Sequence, residues 1–125
     1  MAEIIFKELS YRINGILFNT HNTLGRFCRE KQYGDAIENL LKEANIEYVR
    51  EKALPLPKID NQFTNRVDFD ISSKVLLEIK AKPLIEREDY TQINRYLDAS
   101  GYKLGIIVNF RNKYLKPIRV IRSYS

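Results

Sequence analysis

The sequence predicts an α/β sandwich, in which a mixed central β-sheet is flanked by α-helices on its faces. Three observations predict it. A helical apolar stripe occupies residues 30–44, an acidic hairpin pattern occupies 64–81, and a strand, helix, strand unit runs on from the hairpin to residue 109. At 125 residues and 44% hydrophobic content, the chain fits one domain with one core, expected to span 1–125 without repeat or low-complexity tract.

The elements follow in order. A first helix is expected over about 7–20. A second covers 30–44, with Tyr33, Ala36, Ile37, Leu40, Leu41 and Ala44 as its buried stripe. Glu30 opens this helix, where the dipole favours an acid. Its spacing of three from Tyr33 places it on the stripe side, and an inward-facing glutamate is expensive to bury without a metal or Lys80 as partner. A strand is expected at 47–53, and Leu54-Pro55-Leu56-Pro57 through Asn61-Gln62 reads as a loop or edge connection.

Val67-Asp68-Phe69-Asp70-Ile71 alternates apolar with acidic, and Val75 to Lys80 alternates toward its end, so both read as strands joined around Ser72-Ser73. If Val67, Phe69 and Ile71 share a buried face with Ile79, Leu77 and Val75, paired residue numbers sum to 146 and Asp68 faces Glu78. A two-residue turn would put Glu78 on the wrong face, so a three-residue connection (72–74) or a bulge is expected.

Pro83 ends the strand, and 86–100 reads as a helix with Tyr90, Ile93, Leu97 and Ser100 on one side and Gly101 as its stop. Glu86, Glu88 and Asp89 suit its first turns. Gln92 and Tyr96, four apart, share a face beside the apolar stripe. The strand at 104–109 then returns through a right-handed crossover, parallel to the strand holding Glu78, and a last strand covers 118–122.

Asp68, Glu78 and Lys80 carry a recognisable chemistry. Phosphodiester hydrolysis calls for a hard cation that neutralises a phosphate oxygen and lowers the pKa of a water, and Mg²⁺ favours a few carboxylates, waters and substrate oxygens. Asp68 and Glu78 supply the carboxylates, and the Ile79 carbonyl is a third oxygen. Lys80, on the same face as Glu78, can orient water or stabilise developing charge. By themselves these residues also fit a solvated hairpin face with a cross-strand ion pair.

The order Asp68, Glu78-Ile79-Lys80, then Gln92 and Tyr96 as QxxxY resembles the PD-(D/E)XK nuclease superfamily, in its lambda-exonuclease-like branch. His21-Asn22-Thr23-Leu24-Gly25 followed by Glu30-Lys31-Gln32-Tyr33 is similar to the small GxxExxY family within it. Leu76-Leu77-Glu78-Ile79-Lys80-Ala81 and Gly105-Ile106-Ile107-Val108-Asn109-Phe110 match two further stretches of that family, and the resemblance covers about residues 8–121. The family's namesake glycine is Phe27 here, a departure that bears on the loop leading into the second helix. The resemblance implies a restriction-endonuclease-like core and a Mg²⁺- or Mn²⁺-dependent nuclease. It further implies Glu30, Asp68 and Glu78 as acidic metal-site residues, Lys80 as catalytic, and Gln92 and Tyr96 in support. His21 belongs to the matched stretch and is counted among the supporting residues; by itself it reads as a helix-end or boundary residue, with a metal or substrate role as the alternative.

A nucleic-acid partner is expected, DNA ahead of RNA, and charge agrees with it once the acidic constellation is present, although by itself the basicity fits a solvated surface. The net charge is +5, and the last 25 residues carry Lys103, Arg111, Lys113, Lys116, Arg119 and Arg122 with no acid. Arg111, Lys113 and Lys116 lie between the last two strands, where they can track a phosphate backbone. The alternative is a non-catalytic nucleic-acid-binding or complex-assembly module, and a homodimer or protein partner stays open. No apolar run suits a membrane span and no secretory start is visible, so a cytoplasmic location without a membrane partner is expected. One cysteine, Cys28, excludes an internal disulfide, and with one histidine excludes a Cys/His zinc site; it reads as a small buried hydrophobe.

Overall fold

The structure is a computed structural model that describes residues 5–55 and 65–122. Helix α1 (Lys7–Leu24) and helix α2 (Glu30–Glu43) precede strands β1 (Tyr48–Ala53), β2 (Arg66–Ile71) and β3 (Val75–Lys80). Helix α3 (Arg87–Ser100) and strands β4 (Leu104–Asn109) and β5 (Ile118–Ile121) complete the order. The five strands form one sheet in sequential order, antiparallel except for β3 against β4. This is the mixed sheet with flanking helices that the residue pattern predicts. The proline-bearing connection after Leu54 lies mostly outside the described residues.

The hairpin adopts the register that its pattern demands. Ile71 pairs with Val75, Asp70 with Leu76 and Phe69 with Leu77. Ser72 and Ser73 both take left-handed backbone at φ 55°, and the Lys74 N–H donates to the Ile71 carbonyl at 3.0 Å. The connection is therefore 72–74, which keeps Phe69 and Ile71 on one face with Val75, Leu77 and Ile79.

Burial divides between two sides. Phe69, Ile71, Val75, Leu77, Ile79, Ile106 and Val108 pack with Ile13 and Leu17 of α1 and Tyr33, Ile37 and Leu41 of α2. Tyr33 stacks on Phe110 with centroids 4.1 Å apart, and its hydroxyl donates to the Gly25 carbonyl at 2.6 Å while accepting the Cys28 N–H at 3.1 Å. Helix α1 runs to Leu24, a turn further than expected, and stops at Gly25, whose φ of 77° suits a residue without Cβ. Cys28 is half-buried against this core, as its small apolar character suggests. On the other side, Leu76, Tyr96, Leu97, Leu54 and Val67 form a smaller cluster under α3.

Two expectations are corrected. Val67 does not share the face of Phe69 and Ile71 but joins the α3 cluster. The pleat loses its alternation between them, where Asp68 leaves the β3 backbone ladder and its neighbour on β1, Glu51, takes a φ of 52°. Tyr90 does not face the core either: it is exposed, and Asp89 is buried in its stead with Ile93, Tyr96 and Leu97. A buried aspartate is tolerable there because Lys82 Nζ pairs with it at 2.7 Å and it accepts the Glu86 N–H at 2.7 Å.

Helix α3 approaches β4 closely enough that a Cβ built on Gly105 would lie 2.6 Å from Ile93 Cδ1. Gly105→Ala is expected to destabilise the fold by about 1–3 kcal/mol through overpacking, which urea unfolding of the two proteins measures.

Candidate active site

The site begins where β2 and β3 stop pairing. Backbone pairing ends at Phe69 and Leu77, and the next position in register sets Asp68 against Glu78. There the carboxylates take over the ladder. The Asp68 N–H donates to Glu78 Oε1 at 2.9 Å, and the Ile79 N–H donates to Asp68 Oδ2 at 2.7 Å. Each acid thus satisfies a backbone donor that the separating strands would leave bare, and each keeps one oxygen for other partners.

Burial makes this arrangement electrostatically tense. Glu78 is 4% exposed and Asp68 is half-buried. Desolvation pushes the Glu78 carboxyl up to about 8, reinforced by Asp68, while Lys80 and the Asp68 N–H oppose the rise. Asp68 rises to about 6, again through desolvation first; the Ile79 N–H and Lys80 draw it down, and Glu30 and Glu51 add repulsion. The two titrate as a pair. Like charges held together out of water attract a cation, and carboxylate oxygens favour a hard divalent one.

Lys80 extends from the end of β3 with Nζ 3.6 Å from Glu78 Oε2. It donates to Gln92 Oε1 at 2.9 Å and lies 3.7 Å from Asp89 Oδ1. Gln92 Nε2 in turn donates to the Tyr96 hydroxyl at 3.1 Å, which donates to the Arg66 carbonyl at 3.1 Å. The i, i+4 pair on α3 therefore joins the ammonium group to the backbone of β2, two residues before Asp68. Tyr96 is fully buried, so its hydroxyl lies inside this relay.

Other expected residues are dispersed. Glu30 borders a groove of ≈170 Å³ with Lys31, Arg50, Glu51, Asp68 and Ile79, but it is exposed and not turned inward. As the first residue of α2 it stands at the mouth of the groove, where water and the helix dipole stabilise its charge. Among the described residues, no three Asp, Glu, His or Cys side chains converge as a ready metal cluster. A cation here would rest on Asp68, Glu78, backbone oxygen and water, a set of hard oxygen donors. His21 Nε2 is 2.9 Å from the Asn112 carbonyl and its ring tilts against Phe110, so it ties α1 to the β4–β5 connection. Arg111 donates to the Arg26 and Ala81 carbonyls, while Lys113 and Lys116 are exposed.

Two charged neighbours of the site escape a reading of the pattern. Asp89 carries a usable signal, since it lies three residues before Gln92 and seven before Tyr96 on one helical face. Burial alone would raise Asp89, but Lys82, the Glu86 N–H and Lys80 hold it below the ordinary carboxylate value. Glu51 has no such signal, because its place opposite Asp68 depends on which strand β1 joins and in what register.

Residues 7–121 match the sequence profile of the PD-(D/E)XK nuclease superfamily. Among solved structures, an alkaline exonuclease from Laribacter hongkongensis is similar, with a TM-score of 0.49 and 14% identity over 98% of this chain and 73% of that one. No curated protein matches the chain in sequence.

The raised carboxyls link stability to pH. In the metal-free fold both hold their protons at a pH where the unfolded chain has already released them. Their cost is therefore absent below the ordinary carboxylate pKa and grows as pH rises through about 6 and then about 8. Glu78→Gln keeps the shape and an acceptor oxygen while removing the charge. It is expected to stabilise the metal-free protein at pH 8 by about 1–3 kcal/mol and to flatten the decline between pH 5 and pH 8. Urea denaturation in chelator at the two pH values tests this; a decline as steep as that of the wild type would place the titrating burden elsewhere.

Proposed function

The chain belongs to the PD-(D/E)XK nuclease superfamily, and from that premise we propose that it is a divalent-metal-dependent nuclease acting on phosphodiester bonds of DNA, or of RNA. The observation that carries the proposal is the interlocked pair of half-buried Asp68 and buried Glu78, with Lys80 alongside. The QxxxY pair and the Glu30-Lys31-Gln32-Tyr33 stretch support a place in the lambda-exonuclease-like branch and its GxxExxY family. We take the chain as one nuclease domain working in the cytoplasm, in keeping with its single free cysteine.

In this reading Asp68 and Glu78 hold Mg²⁺ or Mn²⁺ with help from the Ile79 carbonyl; the ion when bound supplies Lewis-acid stabilisation of phosphate charge and lowers the pKa of water. The protein's own groups then divide the work. Lys80 orients the attacking water and stabilises negative charge growing on the phosphate oxygens. Gln92 restrains the Lys80 ammonium through its side-chain oxygen, and Tyr96 fixes Gln92 while gripping the β2 backbone. Glu30, across the groove, repels Asp68 and so adds to the pull on a cation. Arg111, Lys113 and Lys116 provide positive flanks that let a polyanion approach the carboxylates.

The exposure of Lys113 and Lys116 favours a second reading, a nucleic-acid-binding or complex-assembly module without catalysis, since their charge is free of any metal. A homodimer or protein partner is compatible with either reading.

Cleavage of single- and double-stranded DNA and RNA by wild type and Glu78→Ala, each in Mn²⁺, Mg²⁺ and chelator, separates the two. Metal-dependent cutting lost in Glu78→Ala is expected; nucleic acid bound but uncut under every condition would move the assignment to the binding module. Lys80→Ala is expected to lower the cleavage rate by at least about 100-fold in a protein that still folds, though less stably because Glu78 and Gln92 lose a partner, and a fully active Lys80→Ala protein would sink the mechanism. Gln92→Ala, which removes the restraint on Lys80 but not the ammonium, is expected to fall between the two, at about 10-fold or more below wild type.

A further inference from the structure

One aromatic side chain stands in the open on a groove that it shares with Glu30. Phe27, in the segment between α1 and α2, is 76% exposed and replaces the glycine of the GxxExxY pattern. Its ring lies near two guanidinium groups, with Arg26 Cζ 5.0 Å and Arg111 Cζ 5.8 Å from the centroid. These arginines also lock their two loops together. Arg26 Nε donates to the Arg111 carbonyl at 2.9 Å and Arg111 Nε donates to the Arg26 carbonyl at 3.2 Å. A second Arg111 nitrogen donates at 3.3 Å to the carbonyl of Ala81, the residue after Lys80.

The backbone that carries the phenyl ring is thus held relative to the end of β3, while the ring itself is exposed. It borders a groove of ≈450 Å³ with Arg29, Glu30, Lys31, Ala81 and Arg111. Glu30 and Lys31 also line the groove that contains Asp68 and Ile79, so the two grooves adjoin at these two residues. Arg26, Arg29, Lys31 and Arg111 make the platform's surroundings cationic.

We propose that Phe27 is a stacking platform for an unpaired nucleobase, and that the groove therefore takes single-stranded nucleic acid, or a strand end with unpaired nucleotides. The chemistry of the patch fits that occupant. Every base offers a π-face to an aromatic ring without regard to sequence, and the surrounding cations meet the flanking phosphates. Bases inside a duplex have both faces covered by their neighbours and offer nothing to Phe27. A rigid ring loses little freedom on binding, which makes a phenylalanine effective there. The inference deepens the nuclease reading and rests on it for the fate of the strand, but binding at Phe27 is measurable without cleavage.

The chain has no tryptophan, so Phe27→Trp places a lone indole fluorophore at the platform. In chelator, oligo-dT and oligo-rU are expected to quench the indole emission of Phe27→Trp, while a blunt duplex of equal length that is bound to the same extent leaves it unchanged. By fluorescence anisotropy of labelled strands, Phe27→Ala is expected to weaken single-strand binding about fivefold or more and to spare duplex binding. Quenching of equal depth by the duplex, or single-strand affinity unchanged in Phe27→Ala, overturns the proposal. Indole emission that responds to protein concentration and not to nucleic acid assigns the face to a second copy of the chain, and overturns it too. Addition of Mn²⁺ to the same samples keeps the two readings apart. Strands that quench the indole of Phe27→Trp but stay intact count against the nuclease, whereas strands cut equally well by Phe27→Ala and wild type count against the platform.

Discussion

The exchange of hydrogen bonds between two carboxylates and two backbone amides is the constraint on which the rest of the site depends. Asp68 and Glu78 stand where a sheet would normally continue its ladder, and each receives the amide that the ladder has given up. An unpaired buried donor costs about 1–3 kcal/mol, so the acids stabilise the splay that exposes the groove. The same burial deprives them of water and raises both carboxyls above their ordinary values. One geometric fact therefore accounts for a local break in the sheet, a Val67 side chain that changes sides, and a pull on cations.

Helix α3 supplies the compensating order. Its buried face is not purely apolar: Asp89, Gln92 and Tyr96 occupy it beside Ile93 and Leu97. The polar members are joined through Lys80, which meets Glu78 from β3, Gln92 and Asp89 from α3. A lysine with four rotatable bonds is a poor positioning device alone, and three partners from two elements remove most of that freedom. Tyr96 closes the loop by binding the Arg66 carbonyl on β2, so the strand that bears Asp68 and the helix that restrains Lys80 are fixed to one another. This polar seam is tolerable because its donors and acceptors are matched.

Stability and proposed chemistry pull in opposite directions at Glu78. A nearly buried acid beside another acid is a burden on the metal-free fold, and the hydrophobic packing of α1 and α2 on the opposite side of the sheet must carry it. Phe69 and Ile79 belong to that core and also line the groove beside Asp68, so the core reaches the edge of the site along the same strands.

The order of elements, the hairpin register and the parallel return strand were determined by the sequence alone, because period-two and period-3.6 apolar patterns in 64–81 and 30–44 admit few alternatives. The Asp68, Glu78 and Lys80 grouping was legible for the same reason, since strand parity sets which side chains share a face. Tertiary structure decided what depends on residues distant in sequence. Asp89 displaced Tyr90 from the buried face of α3 because lysines 80 and 82 lie beneath it, and Glu51 came to rest near Asp68 because β1 joined β2 in one particular register. Glu30 kept its place at the groove but not its expected burial, and Val67 crossed the sheet. Local pattern fixes direction along a strand or helix; partners, solvent access and breaks in the pleat are set only when elements meet, because those depend on who supplies the charge and the hydrogen bond.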